Sequence, residues 1–261
     1  VRIRQGDTAL LPSGPGSGGS SSMVVSGGSL SRGATALAGR IRALAAELLE
    51  AAAADLHLEG GAAVVAGTDR RIGFAELARR AAAAGSPLCV EQPAVDPVQT
   101  WPAGVTVAEV EVDPETGLVR VVRIATALDI GRVLDPVLAA GQVQGGVAAG
   151  IGEALFERIV HDRESGQLLT GSLLDYAIPR AADVPAVDLA FLGAPSSRNP
   201  LGVKGLGELA SNGAPAAVLA AVRDALRLVG VDRLDPPLGP ERVWRAIREA
   251  CGGAGPGRSS P

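Results

Sequence analysis

The chain has 261 residues, 24 basic and 28 acidic side chains, a formal net charge of -4 and a 47% hydrophobic composition with only 2% aromatics. An acidic balance with no basic patch, and no aromatics interleaved with basic residues, argues against a nucleic-acid partner. Two cysteines, Cys89 and Cys251, fit neither a disulfide framework nor a zinc or iron–sulfur motif, and no stretch reaches the roughly 18 uninterrupted apolar residues of a membrane span.

The length allows one large or two small domains. With so few aromatics, Ala, Val and Leu must fill the core by close packing. The chain opens on Val1 and its single methionine is Met23. It therefore reads as a piece of something longer, with no targeting signal at its start.

Residues 1–4 alternate and suggest a short strand. Residues 12–30 are almost wholly Gly, Ser and Pro, which suits either a flexible linker or a ligand cradle. Leu37, Ile41, Leu44, Leu48 and Leu49 follow at helical spacing and predict a long helix over 34–56. Residues 62–66 read as a buried strand, with 71–72 closing a hairpin on it. Residues 74–84 read as a helix that stops at Gly85, and 91–104 as a connection carrying three prolines and Trp101.

The clearest hairpin is 105–112 with 118–127, joined through Pro114-Glu115-Thr116-Gly117. A helix over 136–156 then begins with proline in its first turn. It contains Gly141, Gly145, Gly146, Gly150 and Gly152, each costing about 1 kcal/mol against alanine inside a helix. So many glycines imply close approach by another backbone or a ligand. A strand over 187–192, a loop over 195–207 and helices over 214–229 and 240–250 complete the pattern. Strands and helices without strict alternation indicate an α+β fold, with mixed sheets and helices packed on them.

Three constellations are candidates for chemistry. Gly14-Pro15-Gly16-Ser17-Gly18-Gly19-Ser20-Ser21-Ser22 precedes a helix. Its unshielded N–H groups and hydroxyls suit an anion, although no Gly-Lys-Ser/Thr follows to make it a P-loop. Gly141-Gln142-Val143-Gln144-Gly145-Gly146 forms a smooth helical face with an amide at its edge; tight helix packing explains it equally well.

Asn199-Pro200-Leu201-Gly202-Val203-Lys204-Gly205-Leu206-Gly207-Glu208 is a glycine-held loop carrying Lys204, the only lysine of the chain, and Glu208 at i and i+4. A lone carboxylate in such a loop, flanked by Leu206 and Leu209, is expected to be partly desolvated, as suits a general base. A surface Lys–Glu pair and a helix-terminal Glu are the plainer readings. Asp175 and Tyr176 are expected to be structural, His57 and His161 solvated, and Cys89 part of the core.

Taken in order, Gly6-Asp7-Thr8, the Gly/Ser loop, Asp129-Ile130-Gly131, Asp135-Pro136, Gly141-Gln142 with Gly145-Gly146, Asp175-Tyr176 with Pro179, and the 199–208 loop followed by Ala214-Pro215-Ala216-Ala217 resemble the molybdopterin-binding large subunit of the xanthine dehydrogenase/aldehyde oxidase family. The resemblance runs from Val1 to about Ala250 and covers the C-terminal part of such a subunit. It implies a fold of the molybdenum cofactor-binding domain type. Residues 1–104 would end the first part of the cofactor-binding region and hold the Gly/Ser loop. Residues 105–250 would form the second molybdopterin-binding subdomain, and 251–261 a disordered tail.

The same resemblance implies an activity: oxidation of an aldehyde or N-heterocycle by water-derived hydroxylation with hydride transfer to molybdenum. Glu208 would be the general base. Gln142 would hydrogen-bond near the metal, and Gly19, Ser20, Ser21 and Ser22 would hold the pterin or phosphate portion. Lys204, Gly205 and Gly207 would shape the loop beneath. The pterin itself, with or without a cytosine dinucleotide extension, would hold the metal, so no protein ligand is expected.

Iron–sulfur and FAD subunits are the implied partners, together with the missing N-terminal half of the same subunit, and the cytoplasm is the implied location. The chain alone is expected to be inactive. It departs from the family pattern at Ser21, where an arginine is usual, at Ala149, where a glutamine is common, and at Asp135, which replaces an asparagine. Two other readings stay open: a non-catalytic cofactor-binding or scaffold module, and a phosphate binder using only the Gly/Ser loop.

Overall fold

The computed structural model describes residues 1–11, 14, 16–92 and 98–252. The chain divides into two compact units. One comprises Val1–Ser17, Ser22–Val98 and Asn199–Leu201, and the other Gly18–Ser21, Gln99–Arg198 and Gly202–Pro261.

In the first unit a π-helical turn, Met23–Gly27, runs directly into helix α1, Gly28–Leu49. A three-stranded antiparallel sheet follows, made of β1 (Leu56–Glu59), β2 (Ala62–Val65) and β3 (Arg71–Gly73). Helix α2, Phe74–Ala83, completes the unit. Ile41 and Ala45 of α1, Leu56, Ala63 and Val65 of the sheet and Leu77 of α2 form its core.

Several expectations change here. Residues 1–4 form no strand; Val1 and Ile3 stay exposed, and alternation without a pairing partner makes no strand. Helix α1 starts six residues earlier than the composition suggests. Gly27 explains part of this: a Cβ there would lie 2.7 Å from Met23 Sδ and 2.9 Å from Leu201 Cδ1, so packing overrides the poor helix propensity of the segment. The helix also ends earlier, at Leu49, where Glu50 turns left-handed at φ 45°.

Leu56 to Glu59 is a strand instead, because Gly60 and Gly61 at φ 53° and 77° make the tight turn that pairs it with β2. Cys89 is exposed, not core; it lies in the irregular stretch after α2, where no apolar face covers it. His57 and His161 are exposed as expected. Parts of the expected 12–30 loop (Pro12, Ser13, Pro15) and 91–104 connection (93–97) lie outside the described residues. So does the expected tail from 253 onward; its first two residues, Cys251 and Gly252, continue a helix.

The second unit is built on a mixed sheet. Strand β4 (Ala103–Val112) pairs antiparallel with β5 (Val119–Asp129), with a register shift at Glu109/Val110. Strand β6 (Val187–Leu192) pairs parallel with β5. The connection from β5 to β6 contains helix α3, Pro136–Leu155. Helices α4 (Leu209–Arg227) and α5 (Pro240–Gly252) follow.

Val143, Val147 and Ile151 on α3, and Ala210, Ala214, Val218, Val222 and Leu226 on α4, repeat every four residues and are all buried, with Ile124 and Leu128 of β5 in the same core. Stripes of this period are the ridges by which two helices interdigitate. The α+β expectation with mixed sheets and packed helices holds. Helix α4, however, begins at Leu209 and carries Pro215 inside it, not in its first turn. Gly150 of α3 makes room: a Cβ there would lie 2.7 Å from Pro215 Cδ.

Candidate active site

The second unit gathers three distant stretches of sequence around one peptide group. Gln142 of α3 donates through Nε2 to the carbonyl of Gly207 at 2.7 Å. The next amide along, the N–H of Glu208, donates to Ser20 Oγ at 2.9 Å. The Gly207–Glu208 peptide is thus held on its oxygen side by the glycine-rich helix and on its nitrogen side by the Gly/Ser loop. Ser20 Oγ in turn lies 3.4 Å from Glu208 Oε2, oriented to donate to it.

Each partner has a local reason to be where it is. Helix α3 starts cleanly because Asp135 Oδ1 accepts from the N–H groups of Val137 and Leu138 at 2.9 and 3.0 Å, with Pro136 following. Aspartate caps as well as asparagine does, so the departure at Asp135 keeps this end intact. Glu208 is the N-cap residue of α4; its carbonyl accepts from Asn212 N–H at 3.0 Å and Ser211 Oγ at 3.1 Å. A helix N-terminus favours negative charge.

Two of the three glycines of the 199–208 loop are explained by Ser20; Gly202 is left-handed at φ 70° and meets Pro195. A Cβ at Gly205 would lie 2.8 Å from Ser20 Cβ, and one at Gly207 would lie 3.3 Å from its Oγ.

Lys204 does not pair with Glu208. Its ammonium donates to Asp129 Oδ2 at 2.5 Å, in a partly buried pair. Asp129 Oδ1 also accepts from Gly131 N–H at 3.0 Å. The Lys204 hydrogen bond first, and the Gly131 N–H second, hold the Asp129 carboxyl below its usual range. Backbone bonds from Arg132 N–H to Gly202 and from Lys204 N–H to Ile130, both 2.8 Å, tie the loop to the end of β5. The Asp129-Ile130-Gly131 motif is therefore the loop's anchor.

The remaining predicted residues divide. Gly19, Ser20, Gly205 and Glu208 line one cleft of about 210 Å³, with Gln99, Thr100, Pro102, Leu209 and Asn212. Ser21 turns its hydroxyl onto Gly18 O at 2.7 Å and closes the loop on itself. Ser22 belongs to the first unit, where its hydroxyl meets that of Ser17. Glu208 is exposed, contrary to the expected desolvation. Leu206 and Leu209 turn toward the core, while the carboxylate between them faces the open cleft.

Of the five helix glycines, Gly146 and Gly150 meet α4, at Ala210 and Ala214. Cβ atoms at Gly141 and Gly145, which flank Gln142, would meet nothing within 4 Å. Tight packing thus explains Gly146 and Gly150, and the face carrying Gly141 and Gly145 is open. Asp175 and Tyr176 are structural: Ser172 Oγ donates to Asp175 at 3.1 Å and Tyr176 OH donates to Glu157 at 2.6 Å.

Gln99, Thr100 and Asn212 are cleft residues that sequence reasoning missed. Their one local signal is Trp101, over which the Arg198 guanidinium packs at 5.2 Å, steadying the 99–102 wall. A second cleft of about 250 Å³, between Glu153, Glu157, Pro215 and Pro236-Pro237, shares none of these residues.

Among the described residues no group of three or more His, Cys, Asp or Glu side chains is placed to hold a metal ion. A metal at the cleft would have to bring its own organic ligand, with the chain contributing backbone, amide and hydroxyl groups. An open glycine wall, a carboxylate and neutral polar side chains fit such a group. No helix among the described residues is long and apolar enough to cross a membrane.

Comparison with known proteins agrees with this architecture. The chain is 38% identical over 253 residues to the 6-hydroxypseudooxynicotine dehydrogenase complex subunit gamma of Paenarthrobacter nicotinovorans, covering 94% of this chain and 32% of the relative. It is 32% identical over 250 residues to the xanthine dehydrogenase molybdenum-binding subunit of Escherichia coli O157:H7, covering 94% and 33%. The crystal structure of quinoline 2-oxidoreductase from Pseudomonas putida 86 superposes with a TM-score of 0.74 at 38% identity, over 90% of this chain and 31% of that one.

The chain thus spans about a third of the length of these relatives. The model of the molybdopterin cofactor-binding domain matches residues 1–185. With a carboxylate, an amide and a Gly/Ser loop held around one peptide, and with this match over more than half its length, the chain belongs to the molybdopterin cofactor-binding domain family of the xanthine dehydrogenase-type molybdenum enzymes.

Proposed function

We propose that this chain supplies the general base and one wall of the cofactor cradle in a molybdenum hydroxylase acting on an N-heterocycle or an aldehyde. The observation that carries this reading is the Gly207–Glu208 peptide, clamped by Gln142 and Ser20 at the edge of a cleft. The names of two relatives, xanthine dehydrogenase and quinoline 2-oxidoreductase, refer to N-heterocycles and favour that substrate class.

The cofactor, when bound, supplies the two-electron oxidising chemistry. Glu208 takes up a proton at its carboxylate, which stands at the N-terminus of α4 and faces the cleft. Gln142 holds the Glu208 loop with its Nε2, and its helix neighbours Gly141 and Gly145 leave open space. Gly19, Ser20, Ser21 and Ser22 form the cofactor loop; Lys204, Gly205 and Gly207 keep the base loop in shape.

Molybdenum–molybdopterin, with or without a cytosine dinucleotide extension, is the proposed group. Electrons leave to iron–sulfur and FAD partners, as suits a chain related to a subunit of a dehydrogenase complex. In the full subunit, Glu208→Gln should lower turnover of an N-heterocycle such as xanthine, quinoline or nicotine by roughly 100- to 10,000-fold. Molybdenum content should stay at the wild-type level. Turnover within a few-fold of wild type would remove Glu208 as the base.

One observation favours a second reading, a non-catalytic module. The cleft lining contains no cation, and Ser21, standing where the family carries arginine, is turned inward. A folded but molybdenum-free full-length complex would support that reading.

A further inference from the structure

The Gly/Ser loop carries a residue that its own conformation disfavours. Ser20 sits at φ 55°, in the left-handed region where glycine is at ease and a side chain costs conformational energy. Gly16, Gly18 and Gly19 precede it, and a glycine at 20 would be the relaxed solution. What the serine adds is its hydroxyl, and both functions of that hydroxyl point the same way. It accepts from the Glu208 N–H at 2.9 Å and is oriented to donate to Glu208 Oε2 at 3.4 Å. Two glycines, Gly205 and Gly207, leave the space that this side chain occupies.

We infer that Ser20 is a positioning residue for the Glu208 carboxylate, and that its hydroxyl serves the base and not the cofactor. The inference rests on the reading of Glu208 as general base. Accepting from the backbone N–H fixes the hydroxyl oxygen, which leaves its proton free to point at Oε2. The carboxylate is then held at both ends of its short side chain: at the peptide by Ser20 and Gln142, and at one oxygen by Ser20 again. The 3.4 Å contact is long, as such bonds often are before substrate is bound. The remaining oxygen, Oε1, is the one turned over to proton uptake. An exposed glutamate has several rotamers, and only one of them suits a reaction at a fixed point; holding it there is worth much of the rate that a misplaced base loses.

The test uses the full subunit with Ser20→Ala, which removes the hydroxyl and keeps the strain, and Ser20→Gly, which removes both. In both, hydrogen exchange at the Glu208 amide should quicken by about tenfold, the loss of one hydrogen bond. The kcat on whichever of xanthine, quinoline and nicotine the wild-type subunit oxidises should fall by about 10- to 100-fold. KM and molybdenum content should hold. In a Glu208→Gln background, Ser20→Ala should add no further loss.

Wild-type exchange and kcat in Ser20→Gly would overturn the inference, because only backbone strain would then have been at issue. Molybdenum lost in proportion to activity would overturn it in favour of a cofactor contact. If Glu208→Gln itself keeps its activity, the base reading falls separately, while the exchange result still decides whether Ser20 holds Glu208.

Discussion

Lys204 directs its charge at Asp129, and that pairing, not a Lys–Glu pair, is what gives the Glu208 loop its footing. Asp129 is held below the usual carboxylate range by Lys204 and the Gly131 N–H. A carboxyl whose pKa is depressed by folding contributes stability that is fully present above its unfolded value, about 3.9, and is lost as pH falls through the lower folded value. Asp129→Asn should therefore cost about 1–3 kcal/mol at pH 7, as for a hydrogen bond between charged groups left with one partner. Thermal denaturation of wild type and variant should show the difference shrinking once pH drops below about 4. An undiminished difference in acid would mean that the ion pair is not the source.

At this same scale the carboxylate, the amide and the Gly/Ser loop were visible as residue types in unusual surroundings. Their convergence was not, because Ser20 and Glu208 are 188 positions apart. Gln99, Thr100 and Asn212 carried no signal beyond the neighbouring Trp101; they line the cleft because the chain path takes them there.

Helices α3 and α4 show how a glycine-rich stretch serves two ends. On one face Gly146 and Gly150 let α4 approach: Cβ atoms there would lie 2.9 Å from Ala210 Cβ and 2.7 Å from Ala214 Cβ. On another face Gly141 and Gly145 border open space. Substitution should thus give opposite signs. Gly150→Ala should destabilise by about 1–3 kcal/mol through overpacking. Gly141→Ala and Gly145→Ala should each stabilise the chain alone by up to about 1 kcal/mol through helix propensity. If their face receives the cofactor, the same two alanines should lower molybdenum content in the full subunit. Chemical denaturation reads the first effect and metal analysis the second.

The strength of periodic signals explains which elements were legible. The β4–β5 hairpin and helix α3 have clear periods and lie where they were expected, whereas α4 was expected from 214 and begins at Leu209. The start of α1 was not, since Gly and Ser dominate its first turns and only packing around Gly27 makes them helical. The expected helix ran to Leu56, the first residue of strand β1, because Leu56 continues the leucine spacing, and the rest of β1 was not expected. The Gly60-Gly61 turn that pairs it with β2 is a sequence signal that was present and outweighed.

At the scale of the molecule, the chain forms two compact units and spans 32% of the first relative's length. Its cleft of about 210 Å³ falls below the roughly 300–1,000 Å³ of sites that bury a drug-sized ligand, let alone a pterin. Val137, Leu138, Leu173 and Leu174 are 80%, 72%, 76% and 92% exposed, two adjacent apolar pairs open to solvent.

The chain alone should therefore fold, hold no molybdenum and oxidise nothing. The longer subunit should hold the metal even with Glu208→Gln, since the base is not a ligand. Linkage provides the check. A group bound only by the native state stabilises it by about 4 kcal/mol at a thousandfold excess over Kd. The Tm of the longer subunit should then fall when it is made in cofactor-free cells, while the Tm of the chain alone should not move. Equal Tm values for both forms of the longer subunit, with molybdenum absent from both, would instead select the non-catalytic module.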